Sequence, residues 1–205
     1  MSNSNSKDNQ TINHEKRTLL KATTAVGTVG VASLAIPLVS TLAPSEKAKA
    51  AGAPIEIDIS GMKPGEIRTG EWRGKPIWII RRTEAMLSEL EKISSQLADP
   101  NSLRNPDQFT PIYARNIHRS IKPEYLVAVG ICTHLGCSPV EKFQTGSQPS
   151  LPDNWPGGFL CPCHGSTFDL AGRVFKNKPA PDNLEIPPHR FIGETRVLIG
   201  EDKVT

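Results

Sequence analysis

Aromatic side chains make up only 5% of the chain, and the net charge is only +3 at pH 7. No basic run with interleaved aromatics occurs. Nucleic-acid binding wants clustered Lys and Arg with stacking partners, so that class is excluded and no nucleic-acid partner is expected. Internal repeats are missing too, apart from a likeness between two short boxes that hold all 4 cysteines. What is plentiful is Gly (16) and Pro (18), which predicts a fold of loops and short strands. A length of 205 residues accommodates one globular domain with a modest core plus an extension or two.

Long apolar runs are absent except for one. Residues 1–17 are polar and read as a short disordered tail. Ala22 to Ala43 then carries no charge and includes Val26, Val29, Val31, Leu34, Ile36, Leu38, Val39 and Leu42. At ~1.5 Å of rise per residue such a helix crosses a ~30 Å hydrocarbon layer, and the internal Pro37 is a bend that membrane helices tolerate. Ala48-Lys49-Ala50 has the form of a signal-peptidase site. The run exceeds the ~7–15 residues of a signal core, so the reading is a retained transmembrane anchor over 18–43. Lys7, Lys16, Arg17 and Lys21 precede the run, against Lys47 and Lys49 just after it. That asymmetry favours a cytoplasmic N-terminus with the globular part outside.

Residues 44–54 have almost no side chain larger than alanine to bury and read as a flexible tether. From Ile55 the strand signals begin, with Ile55, Ile57 and Ile59 alternating with Glu56 and Asp58. Pro64-Gly65 marks a turn, Glu66 to Trp72 and Pro76 to Arg81 read as strands, and Arg73-Gly74-Lys75 joins them as a hairpin. One helix is predicted from about Thr83 to Leu97, capped by Thr83, with the stripe Met86, Leu87, Leu90, Ile93 and Leu97 packing on a sheet. Leu126 to Ile131, Phe159-Leu160, Val174-Phe175, Leu184 to Ile186 and Arg196 to Ile199 read as further strands. Trp155-Pro-Gly-Gly158 reads as a turn in a surface insertion, and His14, His118 and His189 lack partner spacing.

The chemistry sits in Cys132-Thr-His-Leu-Gly-Cys137 and Cys161-Pro-Cys-His-Gly-Ser166. Each box sets a cysteine close to a histidine, Cys132 with His134 and Cys161 with His164, so two loops can offer two thiolates and two imidazoles to a metal. That leaves one further cysteine in each box. Two plain disulfides would leave the matched histidines unused. An all-cysteine cluster finds the start of a plant-type ferredoxin spacing in Cys132 and Cys137, but Cys161-Pro-Cys163 departs from it. Zinc accepts mixed Cys/His sites, although the tight Cys-x-His is atypical, and neither box offers the Cys-x-x-Cys of a thioredoxin-like site.

The pattern C-x-H…C-x-x-H with an extra cysteine in each box closely resembles the two cluster-binding loops of Rieske [2Fe–2S] proteins. The membrane helix, the small-residue tether, the head over 55–205 and the stretch Pro179-Ala-Pro-Asp-Asn-Leu184 resemble the Rieske subunit of a cytochrome bc-type complex. The resemblance implies a mainly β fold: an antiparallel β-sandwich head with one short helix and a cluster-binding subdomain whose loops are 131–140 and 159–168. It implies one [2Fe–2S] cluster, with Cys132 and Cys161 on one iron, His134 and His164 on the other, and a Cys137–Cys163 disulfide. Mixed ligation of this kind raises the reduction potential above that of all-thiolate clusters.

A histidine bound through one ring nitrogen keeps an N–H on the other, held more tightly when the cluster is reduced, so electron and proton are taken up together. By resemblance His164 meets the quinol, with His134 beside it and Leu135 lining the contact. The implied partners are a cytochrome b subunit, a membrane-bound c-type cytochrome and quinol within a dimeric complex of a bacterial inner membrane, the head being periplasmic and swinging on its tether. The enzyme is the assembly, a quinol–cytochrome c oxidoreductase and translocase. Two other readings are a small Rieske subunit of a periplasmic oxidase such as arsenite oxidase, and a membrane-anchored zinc or disulfide module with no redox role.

Three positions stand apart. Ser166 sits where the family places a hydroxyl donor to a bridging sulfide. Phe168 stands where many high-potential members carry a tyrosine that bonds a ligand sulfur, which implies a lower potential here. Lys178 precedes Pro179 where relatives often have glycine. The export signal of the twin-arginine type is matched by Lys16-Arg17-Thr-Leu-Leu-Lys21, with lysine for the first arginine.

Overall fold

The computed structural model describes residues 14–43, 45 and 52–203. Residues 1–13, most of the expected tether and Ala48-Lys49-Ala50 lie outside the described residues. The chain divides into two compact units, Met1–Lys49 and Ala50–Thr205.

The first unit holds α1 (His14–Ser40), a helix of 27 residues with Pro37 inside it, long and apolar enough to cross a membrane. It begins within the stretch expected to be a disordered tail, so His14 to Arg17 are helical instead. Its hydroxyls are satisfied within the helix: Thr18, Thr23, Thr24, Thr28 and Ser33 each donate to the carbonyl four residues back. A helix that meets its own polar needs in this way suits a solvent without hydrogen-bonding capacity.

The second unit is mainly β, as predicted. Its strands are β1 (Ile55–Asp58), β2 (Ile67–Trp72), β3 (Lys75–Arg81), β4 (Tyr125–Val129), β5 (Val140–Lys142), β6 (Gly158–Leu160), β7 (Thr167–Phe168), β8 (His189–Ile192) and β9 (Arg196–Ile199). They form three antiparallel sheets of order β1-β9-β8, β2-β3-β4 and β5-β6-β7. Side chains of a strand alternate between faces, and the middle sheet uses both. Ile77, Ile79, Val127 and Val129 pack with Ile59, Val197 and Ile199 against the first sheet, closing a sandwich core. Trp78, Ile80, Leu126 and Ala128 face the other way, toward Cys132, Phe159, Cys161 and Phe168. Burial on both faces is why β3 and β4 read as unbroken apolar runs, whereas β1, at an edge, alternates.

Several expectations are corrected. The hairpin after β2 has two residues, because Lys75 pairs with Trp72, and Arg73 (φ 52) and Gly74 (φ 71) take the positive-φ geometry of a type I′ turn. The soluble helix α2 (Glu84–Lys92) is capped by Thr83 as predicted but stops early. A 3₁₀ turn (Ser94–Gln96) follows, where paired serines compete for backbone hydrogen bonds. Its stripe does not lie on a sheet. Leu90 packs on Leu170 and Ala171, and Ile93 and Leu97 pack on Trp155 and Phe175. Trp155 is therefore core rather than surface, 2% exposed, with its indole N–H donated to the Lys142 carbonyl. A further short helix is α3 (Pro106–Phe109).

Val174 and Phe175 make single bridges instead of a strand. Leu184 to Ile186 is extended without a ladder; Val129 N–H donates to the Glu185 carbonyl and Ile186 N–H to that of Phe109. His189 opens β8 and is buried, its Nδ1 within 2.8 Å of the Pro187 carbonyl, and burial pushes its imidazole down to about 4. His118 is half-buried and its pKa lowered, first by burial and then by Arg82.

Candidate metal centre

β4 and β6 both lead toward the same end of the second unit, and each leads into one of the cysteine boxes. The two loops repeat one hydrogen-bonding scheme. Cys132 N–H donates to the Cys137 carbonyl and Gly136 N–H returns to Cys132; Cys161 N–H donates to the Ser166 carbonyl and Gly165 N–H returns to Cys161. Closing so tight a loop puts its fifth residue at positive φ, 82° at Gly136 and 72° at Gly165, where a Cβ would be strained. The scheme makes the sequence likeness of the boxes a structural one. Within it His134 occupies the third position of its loop and His164 the fourth.

Cys137 and Cys163 are joined by a disulfide with 26 residues of separation and 6.6 Å between their Cα atoms. A loop of that size stabilises by roughly 3 kcal/mol on the chain-entropy view. Cys132 and Cys161 remain free thiols, 1% and 2% exposed. The Cys161 sulfur lies within 4.8 Å of both disulfide sulfurs, but since those two are bonded to each other the trio offers only one donor. Burial pushes the Cys132 thiol up, opposed by hydrogen bonds from the His134 N–H and the Ser166 side chain, while the Cys161 thiol beside it adds to the rise. The imidazoles of His134 and His164 meet edge to face, with ring centroids 4.8 Å apart. Thiols inside and imidazoles outside make a mixed donor set that can hold a soft metal centre at a surface tip. Leu135 stands next to them, 71% exposed.

The proline-rich stretch is strapped to both loops. Ala180 N–H donates to Ser166 Oγ at 2.9 Å, and the Thr133 hydroxyl donates to the Asp182 carbonyl at 2.6 Å. Arg104 Nη1 reaches the Pro181 carbonyl at 3.0 Å. Ser166 thus accepts one bond and retains its proton for a sulfur. Phe168 is fully buried beneath the second loop and pairs across the sheet with Phe159, which stacks on Trp78 with centroids 5.1 Å apart. Lys178 is exposed.

Sequence reasoning missed the polar layer under the second loop. Asp169 Oδ2 accepts from Arg173 Nε at 2.7 Å, and both side chains are buried. Asp169 Oδ1 also takes the N–H groups of Ala171 and Arg173. Arg82 and Arg119 are buried nearby, and Asn183 accepts from Val174 N–H while donating to the Asp99 carbonyl. No spacing rule marks an isolated arginine as buried, so the residue types alone carried no signal.

Residues 97–188 match the family described as Rieske [2Fe-2S] domain, and residues 16–45 match the one described as Ubiquitinol-cytochrome C reductase Fe-S subunit TAT signal. The ubiquinol-cytochrome c reductase iron-sulfur subunit of Allochromatium vinosum is 52% identical over 188 residues, 92% of this chain and 89% of that protein. That of Blastochloris viridis is 43% identical over 89% of this chain and 90% of its own length. A solved chain titled "Hyperthermophilic respiratory Complex III" is 28% identical over 85% of this chain and 96% of its own, with a TM-score of 0.45.

Proposed function

This chain belongs to the ubiquinol-cytochrome c reductase iron-sulfur subunits, and from that premise we propose that it takes electrons from quinol bound at a cytochrome b subunit and delivers them to a membrane-bound c-type cytochrome. It is an electron-transfer subunit of a cytochrome bc complex and its cofactor is a Rieske [2Fe–2S] cluster, so a non-redox zinc or disulfide module is ruled out. Cys132 and Cys161 would hold one iron and His134 and His164 the other. The observation that carries this assignment is the Cys137–Cys163 disulfide, which withdraws two of the four sulfurs and leaves one buried thiol and one imidazole on each loop. When bound, the cluster supplies one-electron chemistry at a potential raised by imidazole ligation.

The remaining work falls to the side chains. His164, at an exposed tip, presents its outer ring nitrogen to a quinol hydroxyl and takes the proton, with His134 beside it. Leu135 gives the quinol pocket an apolar contact and keeps water from the imidazoles. Ser166 would donate its hydroxyl toward a sulfur of the site, as it does to the Cys132 sulfur, while the Ala180 N–H fixes its rotamer. Phe168 offers no such donor. Phe168→Tyr is expected to raise the midpoint potential, read by voltammetry; a fall or no change contradicts the role given to that position.

α1 anchors the chain by a single pass in a bacterial inner membrane, N-terminus in the cytoplasm and head in the periplasm. The matched signal family supports export of the folded head by the twin-arginine route, starting from Lys16-Arg17. Residues 44–54 let the head, 55–205, alternate between its two partners in a dimeric, proton-translocating complex. Deleting several tether residues should leave the visible spectrum of the cluster intact while abolishing quinol-dependent cytochrome c reduction. Unchanged turnover would contradict the swinging head.

A further inference from the structure

The layer beneath the second loop holds three guanidiniums, of Arg82, Arg119 and Arg173, which are 3%, 0% and 1% exposed, against the carboxylates of Asp169 and Asp99. Only Arg173 is paired with a carboxylate by direct contact. Arg119 donates from Nη1 and Nη2 to the carbonyls of Phe109, Ala171, Gly172 and Leu184 and to Thr110 Oγ1, while its buried Nε has no partner among the described residues. Arg82 bonds the carbonyls of His118, Leu170 and Pro123 and Ser120 Oγ. A buried charge with no counter-charge in direct contact is a large desolvation cost for a fold to carry. Stapling loops does not require it, because neutral amides can also donate to carbonyls.

Both side chains stay protonated at neutral pH. Burial brings each guanidinium down only to about 10, opposed in both by Asp169, at Arg82 also by Glu124 and at Arg119 also by Asp99. Arg82 and Arg119 therefore each carry a permanent positive charge in a water-excluded medium. Their positions matter: Arg119 bonds the carbonyl of Leu184, which sits in the same core as Cys132, Cys161 and Phe168. Arg82 bonds the carbonyl of Leu170, two residues beyond Phe168.

We propose that the unpaired guanidiniums of Arg119 and Arg82 form a buried electrostatic support that raises the reduction potential of the centre held by the two loops, by favouring its more negative, reduced state. The proposal rests on the cluster reading given above. It makes Arg119 and Arg82 tuning residues that act at a distance through their charge, in addition to any hydrogen bond to the sulfurs. Because the charges lie inside the protein, salt screens them little.

The test is the midpoint potential of the full membrane-anchored chain, measured by redox titration of its paramagnetic resonance signal at low and high ionic strength. Arg119→Lys keeps the charge and loses most of the hydrogen bonds; Arg119→Gln loses the charge and keeps some of them. The expected result is a potential near the parent's for Lys and, for Gln, about a tenfold weaker reduction equilibrium, ~59 mV for a one-electron couple. Asp99→Asn, which removes a negative charge and keeps one amide oxygen for one of the Leu103 and Arg104 N–H groups while the other faces the amide NH2, must shift the potential upward. If Arg119→Gln does not assemble, the sign given by Asp99→Asn decides alone. Equal shifts for Lys and Gln, a downward or absent shift for Asp99→Asn, or shifts that vanish in high salt would overturn the proposal. The parent's own signal tests whether the cluster is there at all, so the two readings fail separately.

Discussion

Cys161→Ala should yield a colourless protein with iron near zero while the head still folds. Of the other cysteines, Cys137 and Cys163 are bonded to each other, which leaves Cys132 as the one other free thiol, proposed above as the first loop's own ligand. No spare thiolate can slide in, because the nearest sulfurs to Cys161 are the bonded pair Cys137–Cys163, within 4.8 Å, and Cys132, the first loop's own thiol. Truncation there removes one atom from a packed site and costs about 1 kcal/mol, too little to unfold the head. Iron content and visible absorption should fall together while circular dichroism keeps its β signature. Retention of near-parental iron would mean that a different set of side chains holds the metal.

Gly158→Ala is expected to destroy the second loop's platform. Gly158 sits at φ 151°, and a Cβ there would stand 2.0 Å from the Phe168 carbonyl oxygen and 3.0 Å from the Asp169 Cα, both backbone atoms. Rotation of a flexible side chain cannot relieve such a contact, so β6 must part from β7. Their separation breaks the Phe159–Phe168 and Leu160–Thr167 pairings immediately before and after the box. The loss should exceed ~4 kcal/mol, which is outside the ordinary range for point substitutions. By contrast Gly61→Ala, at φ 65° with nothing within 4 Å of the added carbon, should cost only about 1 kcal/mol. Denaturant titration of both variants checks the contrast, and a Gly158→Ala midpoint near the parent's would contradict it.

The parts of the fold that could be read from the residues are those with a period or an unbroken apolar run. β1 shows its wet face by alternation, and β3 and β4 show burial on both sides by having none. What escaped has no period to display. β5 has three residues and β7 two, and β8 carries His189 and Arg190 among its four. The end of α2 turned on two adjacent serines, and the fate of Trp155 on packing against Phe175, a contact distant in sequence. The proposed metal donors stand out for a different reason: thiols and imidazoles are rare, and both boxes set them at short, matched spacing. Partner choice among the four sulfurs was implied by resemblance and is realised as the Cys137–Cys163 bond. Arg82 and Arg119 were invisible because an arginine in a loop reads as solvated until its carbonyl partners are in place.

The central claim is that two imidazoles and two thiolates share one binuclear centre. Its most direct test is pulsed paramagnetic resonance of the reduced, full-length chain, read for hyperfine coupling to ligand nitrogen and set beside iron and labile sulfide content. The account predicts two iron atoms per chain and two directly coordinated histidine nitrogens, which vanish together in Cys161→Ala. A signal without coordinated nitrogen, or a preparation that holds zinc and no labile sulfide, would contradict it.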